Sequence, residues 1–548
     1  MLAKHAVLEA LRAQGIRHIF GNPGTTELNL LDALAEYPDI TYVLGLQDNV
    51  PMGMAYGYAA ITGRPAFVNL HVTPGLANAM GNLYNAYRAG VPVIVTAGQI
   101  DSRLSFHEPL LWSDLVRLAS PLVKWAYEPK RGEEVPAALA RAFKVATTPP
   151  PGPVFLSLPT NVLDEPCRGP MPMPAVEARV LAHPEAVARA ARLLADATSP
   201  VIITGASIGK NGALDALVRV AETVGARVLV ERIPSRTAFP TGHPLYFGSM
   251  GFTREQMAAS LEGADLLLVA GASRIVPVVY GGEIPVPEGA RLLQVDVDPW
   301  EVGKSLPVDV GIVADLPGTL ADLADAVART ASADQRTRIG ARLAALRERN
   351  AALRRGWGDA APPLPTEGPV TLGTCLREIA AWVDGSTTVV EECTTAARVQ
   401  DRYLPLNAAE SFFGIAGGAL GLGLPASLGV KLARPDRRVI CLVGDGSILY
   451  AIQALWTAAR HRIGVVILVL NNRSYRILRE AMEHYKGGPV PDERLIGVHL
   501  DAPAVDHVAV SQGFGVPARR VVHGRELRGA LEEAFAAQGP VLVDIAIA

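Results

Sequence analysis

The sequence predicts an α/β fold built from three doubly wound, parallel-sheet units. Three observations lead there. Short β-branched runs alternate with helical stretches along the chain, the pattern of parallel strands joined through helices. The 548 residues exceed one compact core, and roughly 100–200 residues per domain gives an expectation of about three or four. Two proline-rich stretches with little periodicity divide the chain into segments of similar size.

Composition narrows the class of ligand. Hydrophobic residues make up 49% and charged residues 19%, so several cores can be buried and disorder is excluded. Lys and Arg number 51 against 54 Asp and Glu, a net charge of -3. That balance excludes a basic nucleic-acid footprint and offers membranes no cationic attraction, so a small molecule is the expected partner. Cys167, Cys375, Cys393 and Cys441 lie far apart with no C-x-x-C pair, which leaves a zinc ribbon or redox dithiol unsupported and fits a reducing compartment. No apolar run approaches 18 residues. The N-terminus has a helical rhythm and an early Glu, unlike a signal peptide, so a cytoplasmic location is expected.

The elements follow in order. The first unit, 1–165, opens with a helix over Ala3–Gln14 and a strand at His18–Phe20 running into a tight turn, Gly21-Asn22-Pro23-Gly24. Further strands are expected at Tyr42–Leu46, Ala66–Leu70, Pro92–Ala97 and Val154–Leu158. Residues Glu165–Pro184 read as a linker. The second unit, 185–345, carries strands at Val201–Thr204, Arg227–Val230, Leu266–Ala270 and Leu292–Val295. A charged helical segment, Arg336–Arg355, meets a second Pro-rich linker at Ala361–Pro369. The third unit, 366–548, has strands at Thr388–Glu391, Val439–Val443, Val465–Leu470 and Val541–Ile545.

The strongest chemical signal lies in this third unit. A buried strand ends in Gly444-Asp445-Gly446-Ser447, a helix follows over Tyr450–Arg460, and the next strand ends in Asn471-Asn472. Parallel strands put both ends on one sheet edge, where ligands bind. Asp445 and Asn472 then offer two hard oxygens to one divalent cation, and the glycines let backbone N–H groups approach phosphate. Mg²⁺ favours such a site, with few protein oxygens and the rest from phosphate and water. The alternative is a plain strand-to-helix turn with a capping Asp; the matched pair of strand ends argues against it.

This spacing resembles the signature of the thiamine diphosphate (ThDP) enzymes, and the resemblance covers the whole chain. It implies a pyrimidine-binding first unit, a central unit and a diphosphate-binding third unit. It implies ThDP and Mg²⁺ (or Ca²⁺) as cofactors, with Asp445, Asn472 and the Ser474 carbonyl as metal ligands. Asn22, Thr394, Thr395, Gly444, Gly446, Ser447 and Tyr475 fall on cofactor-binding positions. In the glycine-dense stretch Phe413–Pro425, the Gly418 carbonyl would accept from the cofactor's amino group and Leu420 would be the wedge that bends it. A homodimer at minimum, and a homotetramer by family habit, is implied because the two halves of the site come from different subunits.

Within the family the chain is most similar to the benzoylformate decarboxylases, through Phe20–Glu27, Asn69–His71, Asn78–Gly81, Val95–Gln99, Pro121–Pro129 and Ala454–Ala459. The resemblance implies non-oxidative decarboxylation of an aromatic or branched 2-oxo acid. A carboligase or 2-hydroxyacyl lyase on the same cofactor, as in acetolactate synthases, is the alternative, and so is a catalytically weak ThDP-binding paralogue. The last is motivated by Asp48, which stands at the family's catalytic glutamate and is shorter by about 1.5 Å. His71 matches one active-site histidine. Val278 stands where a second is expected, and His107 is the candidate to replace it in proton transfer. Thr25 takes the substrate-carboxylate position of a Ser. Leu110, Leu111 and Ile477 keep the substrate pocket apolar, while Gly414 and Ala481 replace aromatic positions and would widen it. Gly205–Lys210 resembles a phosphate-binding loop but has one residue too few and is read as a strand-to-helix turn.

Overall fold

The computed structural model describes every residue except 173–175, 177 and 277–282. The chain forms three six-stranded sheets, each wholly parallel. The first contains β1 (His18–Gly21), β2 (Thr41–Leu44), β3 (Ala66–Leu70), β4 (Val93–Gln99), β5 (Ala126–Tyr127) and β6 (Val154–Pro159), in the order β2-β1-β3-β4-β6-β5. The second contains β7 (Pro200–Thr204), β8 (Arg227–Val230), β9 (Tyr246–Ser249), β10 (Leu266–Ala270), β11 (Arg291–Asp296) and β12 (Val310–Val313), ordered β12-β11-β10-β7-β8-β9. The third contains β13 (Thr387–Glu392), β14 (Phe412–Phe413), β15 (Arg438–Gly444), β16 (Val466–Asn471), β17 (Ala518–Val521) and β18 (Val541–Ala546), ordered β14-β13-β15-β16-β18-β17.

The first and third sheets therefore share one strand order, offset along the chain. The second has the doubly wound order of dinucleotide-type sheets. Its Gly205–Lys210 segment is the expected strand-to-helix turn, with β7 ending at Thr204 and a short helix over Ala206–Lys210. Central strands such as β3, β4, β10 and β16 are buried on both faces, which is why they read as unbroken apolar runs.

One core cluster joins the first and third units. Its seam is the crossing of helix Asn49–Thr62 with helix Gly423–Ala433. Backbones meet there: a Cβ at Gly57 would lie 2.0 Å from the Ala426 carbonyl, and one at Gly429 would lie 1.9 Å from the Met54 carbonyl. Only glycine permits that approach. The seam brings the start of helix Asn49–Thr62, immediately after Asp48, beside the loop that precedes helix Gly423–Ala433. Among the described residues, no helix is long and apolar enough to cross a membrane.

β13 ends in two buried carboxylates. Burial pushes Glu391 up to about 8, with the neighbouring Glu392 charge adding, and pushes Glu392 up to about 7 against the backbone N–H groups it accepts. Both lie above the ordinary value of 4.5. Their contribution to stability is thus complete below that value and lost as pH rises through 7 to 8. The cofactor-free protein is expected to melt at progressively lower temperature between about pH 5 and about pH 8 and to level off above that, and Glu391→Gln to flatten the decline. Parallel melting curves for the two proteins would dismiss burial of Glu391 as the cause.

Candidate active site

The site forms in two parts. In the first unit, β1 delivers the turn Gly21–Gly24 and a 3-10 turn over Thr25–Glu27. β3 ends at Leu70, so His71 caps helix Val72–Ala89. Glu27 lies beneath this edge, buried and saturated. It accepts from the Gly24 N–H at 2.8 Å, the Gly98 N–H at 2.9 Å and the Thr26 hydroxyl at 2.8 Å, and His71 Nδ1 lies 2.9 Å away. A carboxylate only accepts, so Nδ1 carries the proton and Nε2 is left as the acceptor. The next residue, Val72, is β-branched yet holds φ at 37°, the kind of local strain that clusters at functional sites.

Gly24 completes the histidine's seat. A Cβ there would sit 2.2 Å from His71 Nδ1. Gly24→Ala is expected to displace the ring from Glu27 and to lower turnover by about 10²-fold while the protein still folds. Turnover with an intact melting transition measures this, and a wild-type rate would show that the ring position is immaterial.

Asp48 is 5% exposed and precedes helix Asn49–Thr62. Its Oδ2 accepts from Asn22 Nδ2 at 3.3 Å, while Oδ1 is buried without a partner among the described residues. A surface role is thereby excluded. Tyr42 stands nearby; burial pushes its hydroxyl far above the usual phenol range, with the charges of Glu27 and Asp48 adding.

In the third unit a cavity of about 200 Å³ opens at the ends of β13, β15 and β16. Thr394, Thr395, Leu420, Gly444, Asp445, Gly446, Ser447, Asn472, Ser474, Tyr475 and Ile477 all line it. Burial raises the Asp445 carboxyl above its usual range, against hydrogen bonds from the Gly446 and Arg473 N–H groups. Arg473 turns left-handed with φ at 54°, and the Ser474 N–H donates to Asn472 Oδ1 at 3.0 Å. Asn471 serves the frame instead, donating to buried Asp544 at 2.9 Å. His507 lies behind, its Nε2 3.1 Å from the Asp445 carbonyl, which makes Nε2 the donor.

These residues fit a small hard cation bound to phosphate. Among the described residues the cavity lining holds one carboxylate that makes no ion pair, one side-chain amide and a Ser474 hydroxyl with no hydrogen-bond partner. Among the described residues no group of three or more His, Cys, Asp and Glu could hold a metal, so a site made mainly from protein carboxylates or soft ligands is not on offer.

Other predicted residues lie elsewhere. Thr25 is exposed, and the hydroxyl 3.2 Å from His71 Nδ1 belongs to Thr26. His107 is exposed at the end of a 3-10 turn, edge-on to Phe106. Leu110 is 88% exposed. Leu111 holds φ at 73°, and its carbonyl accepts from Thr73 at 3.3 Å, next to the His71 helix start. Ala481 and Gly418 do not line the cavity. Gly414 is buried against the central unit, where a Cβ would lie 2.9 Å from the Pro234 carbonyl; close packing, not a wider pocket, accounts for its missing side chain. Val278 lies outside the described residues. Sequence reading passed over Glu27 and Thr26. The signal available was an acidic residue three positions past Gly24, but the fold alone sets it against His71.

Comparison with known proteins adds three family models. The N-terminal TPP-binding domain of thiamine pyrophosphate enzymes matches residues 1–112, the central domain matches 187–323, and the C-terminal TPP-binding domain matches 393–545. Benzoylformate decarboxylase of Pseudomonas aeruginosa is 35% identical over 546 residues, 98% of each chain. The solved ThDP-dependent 4-hydroxybenzoylformate decarboxylase of Rhodococcus jostii RHA1 superposes with a TM-score of 0.87 at 31% identity, covering 100% of this chain and 99% of that one. Acetolactate synthase isozyme 3 large subunit of Escherichia coli K12 is 26% identical, covering 96% of this chain and 91% of its own.

Proposed function

Because this chain belongs to the thiamine pyrophosphate enzyme family, we propose that it decarboxylates an aromatic or branched 2-oxo acid to an aldehyde and CO₂, with ThDP and Mg²⁺. The observation that carries the proposal is the Glu27–His71 pair beside buried Asp48, in a chain similar end to end to benzoylformate decarboxylase. Bound ThDP supplies the electron sink that this reaction needs.

The residues divide the remaining work. Asp445, Asn472 and the Ser474 carbonyl would hold Mg²⁺, with Thr394, Thr395, Gly444, Gly446, Ser447 and Tyr475 around the diphosphate. Asp48 would hold a proton at the cofactor's pyrimidine nitrogen through its unpartnered Oδ1. His71 would move a proton through Nε2, a task suited to imidazole near neutral pH. Thr25 would orient the substrate carboxylate, and His107 would assist from its loop. Ile477, in the cavity lining, would exclude water, with Leu111 and the exposed Leu110 joining it once a second copy covers them, and this disfavours a localised carboxylate.

None of Asp48, His71 or Thr25 lines the cavity around Asp445. A second copy that brings its first unit over this cavity would complete the site, so a dimer is the minimum working form and a tetramer is compatible.

The carboligase reading keeps one support, the full-length likeness to an acetolactate synthase. Purified protein with ThDP, Mg²⁺ and a panel of 2-oxo acids separates the two. Aldehyde and CO₂ in equal amounts support decarboxylation; acyloin without net aldehyde release would replace it with the second reading.

A further inference from the structure

The loop from Gly417 to Gly423 is held from two sides. Asn85, fully buried on helix Val72–Ala89, accepts at Oδ1 from the N–H groups of Gly417 at 3.0 Å and Ala419 at 3.3 Å. Its Nδ2 donates to the Ala419 carbonyl at 2.8 Å and to Asn82 Oδ1 at 3.1 Å. Asn82, also fully buried, donates to the Gly421 carbonyl at 3.0 Å. From the other side Glu392, 1% exposed, accepts from the Gly421 N–H at 2.6 Å through one oxygen and from the Gly423 N–H through the other.

The pattern alternates. Residues 417, 419, 421 and 423 each give their N–H to a buried side chain. Between them, Leu420 lines the cavity. Gly418 holds φ at 86° in open space, and its carbonyl accepts no hydrogen bond among the described residues. Glu392 needs both oxygens as acceptors, which explains a carboxylate rather than an amide at a fully buried position. The N–H groups in turn offset part of the cost of burying it.

We propose that Glu392 and Asn85 are positioning residues, which grip the odd-numbered peptides of this loop so that Gly418 and Leu420 are presented to the cofactor. The inference rests on the functional reading above. Helix Val72–Ala89 carries His71 at its start and Asn85 near its end, so one rigid strut ties the histidine to the loop.

The test uses full-length protein titrated with ThDP in saturating Mg²⁺, followed by intrinsic fluorescence and by the near-ultraviolet circular dichroism of the bound cofactor. Glu392→Gln keeps the shape and removes one acceptor; Asn85→Ala removes the other grip. Each is expected to raise the ThDP dissociation constant by at least about tenfold and to change the cofactor's dichroism. The KM of the 2-oxo acid should stay unchanged. Thr374→Val, which removes a buried hydroxyl bonded to the remote Pro362 carbonyl, should lower the melting temperature without either effect. If Thr374→Val reproduces both changes, or if the two loop variants bind ThDP like the wild type, the grip is overturned. A wild-type chain that binds no ThDP overturns the underlying reading and the grip with it. Should both loop variants fail to fold, hydrogen exchange of the cofactor-free wild type decides: slow exchange across 417–423 supports the grip, and exchange as fast as in the exposed 103–110 turn overturns it.

Discussion

An Asp445→Ala chain is expected to lose Mg²⁺-dependent ThDP binding and at least about 10³-fold in turnover, equivalent to about 4 kcal/mol. The expectation follows from what lines the cavity. Among the described residues of the lining, Asp445 is the one carboxylate and Arg476 the one formal cation, and the other groups are neutral. A hard dication released from water needs negative charge, which the Asn472 amide and backbone carbonyls cannot supply. Burial already raises the Asp445 carboxyl, so the residue is costly to keep unless a cation compensates it. Fluorescence titration with ThDP at several Mg²⁺ concentrations measures the effect, alongside turnover. An alanine variant that binds ThDP with wild-type affinity would place the metal elsewhere.

The second large effect is expected at Asp48. Removing the carboxylate in Asp48→Ala should cost about 10²–10⁴ in turnover, the usual worth of a positioned acid or base, with little change in ThDP affinity. Asp48→Glu should stay within about tenfold of wild type, because it restores the longer side chain that the family resemblance leads one to expect. Space is the physical question. Asp48 Oδ1 packs so close to residue 75 that a Cβ there would sit 2.5 Å away, and only glycine at that position admits the carboxylate. A longer side chain at 48 must find another path past Gly75. Single-turnover rates for the three proteins decide. Wild-type turnover by Asp48→Ala removes this residue from the chemistry, and failure of all three forms on every 2-oxo acid while ThDP still binds would favour a non-catalytic paralogue.

How much was legible before any coordinates depended on burial. The interior strands stood out because both faces are covered, so β3, β4, β7, β10, β15, β16 and β18 read as compact apolar runs. The strands missed from sequence are β5, β9, β12, β14 and β17, and every one is an edge strand. They are two to four residues long, and most carry partly exposed positions. Their pairing comes from a neighbour already in place, not from their own periodicity. The same division runs through the site. Gly444-Asp445-Gly446 and Asn471-Asn472 could be matched because strand ends of one parallel sheet share an edge whatever the rest of the chain does.

What the sequence determined by itself was therefore local: the alternation that predicts three parallel sheets, the pairing of Asp445 and Asn472 at two neighbouring strand ends, and a histidine at the close of β3. What only the tertiary structure decided was which distant groups meet. Glu27 reaches His71 across 44 positions, Asn85 reaches Ala419 across 334, and Thr26 rather than Thr25 stands beside the imidazole. Periodicity records which face of an element is buried. It carries nothing about which buried polar group will find which partner, because that choice is made by packing distances between elements and by the cost of leaving any one of those groups unpaired.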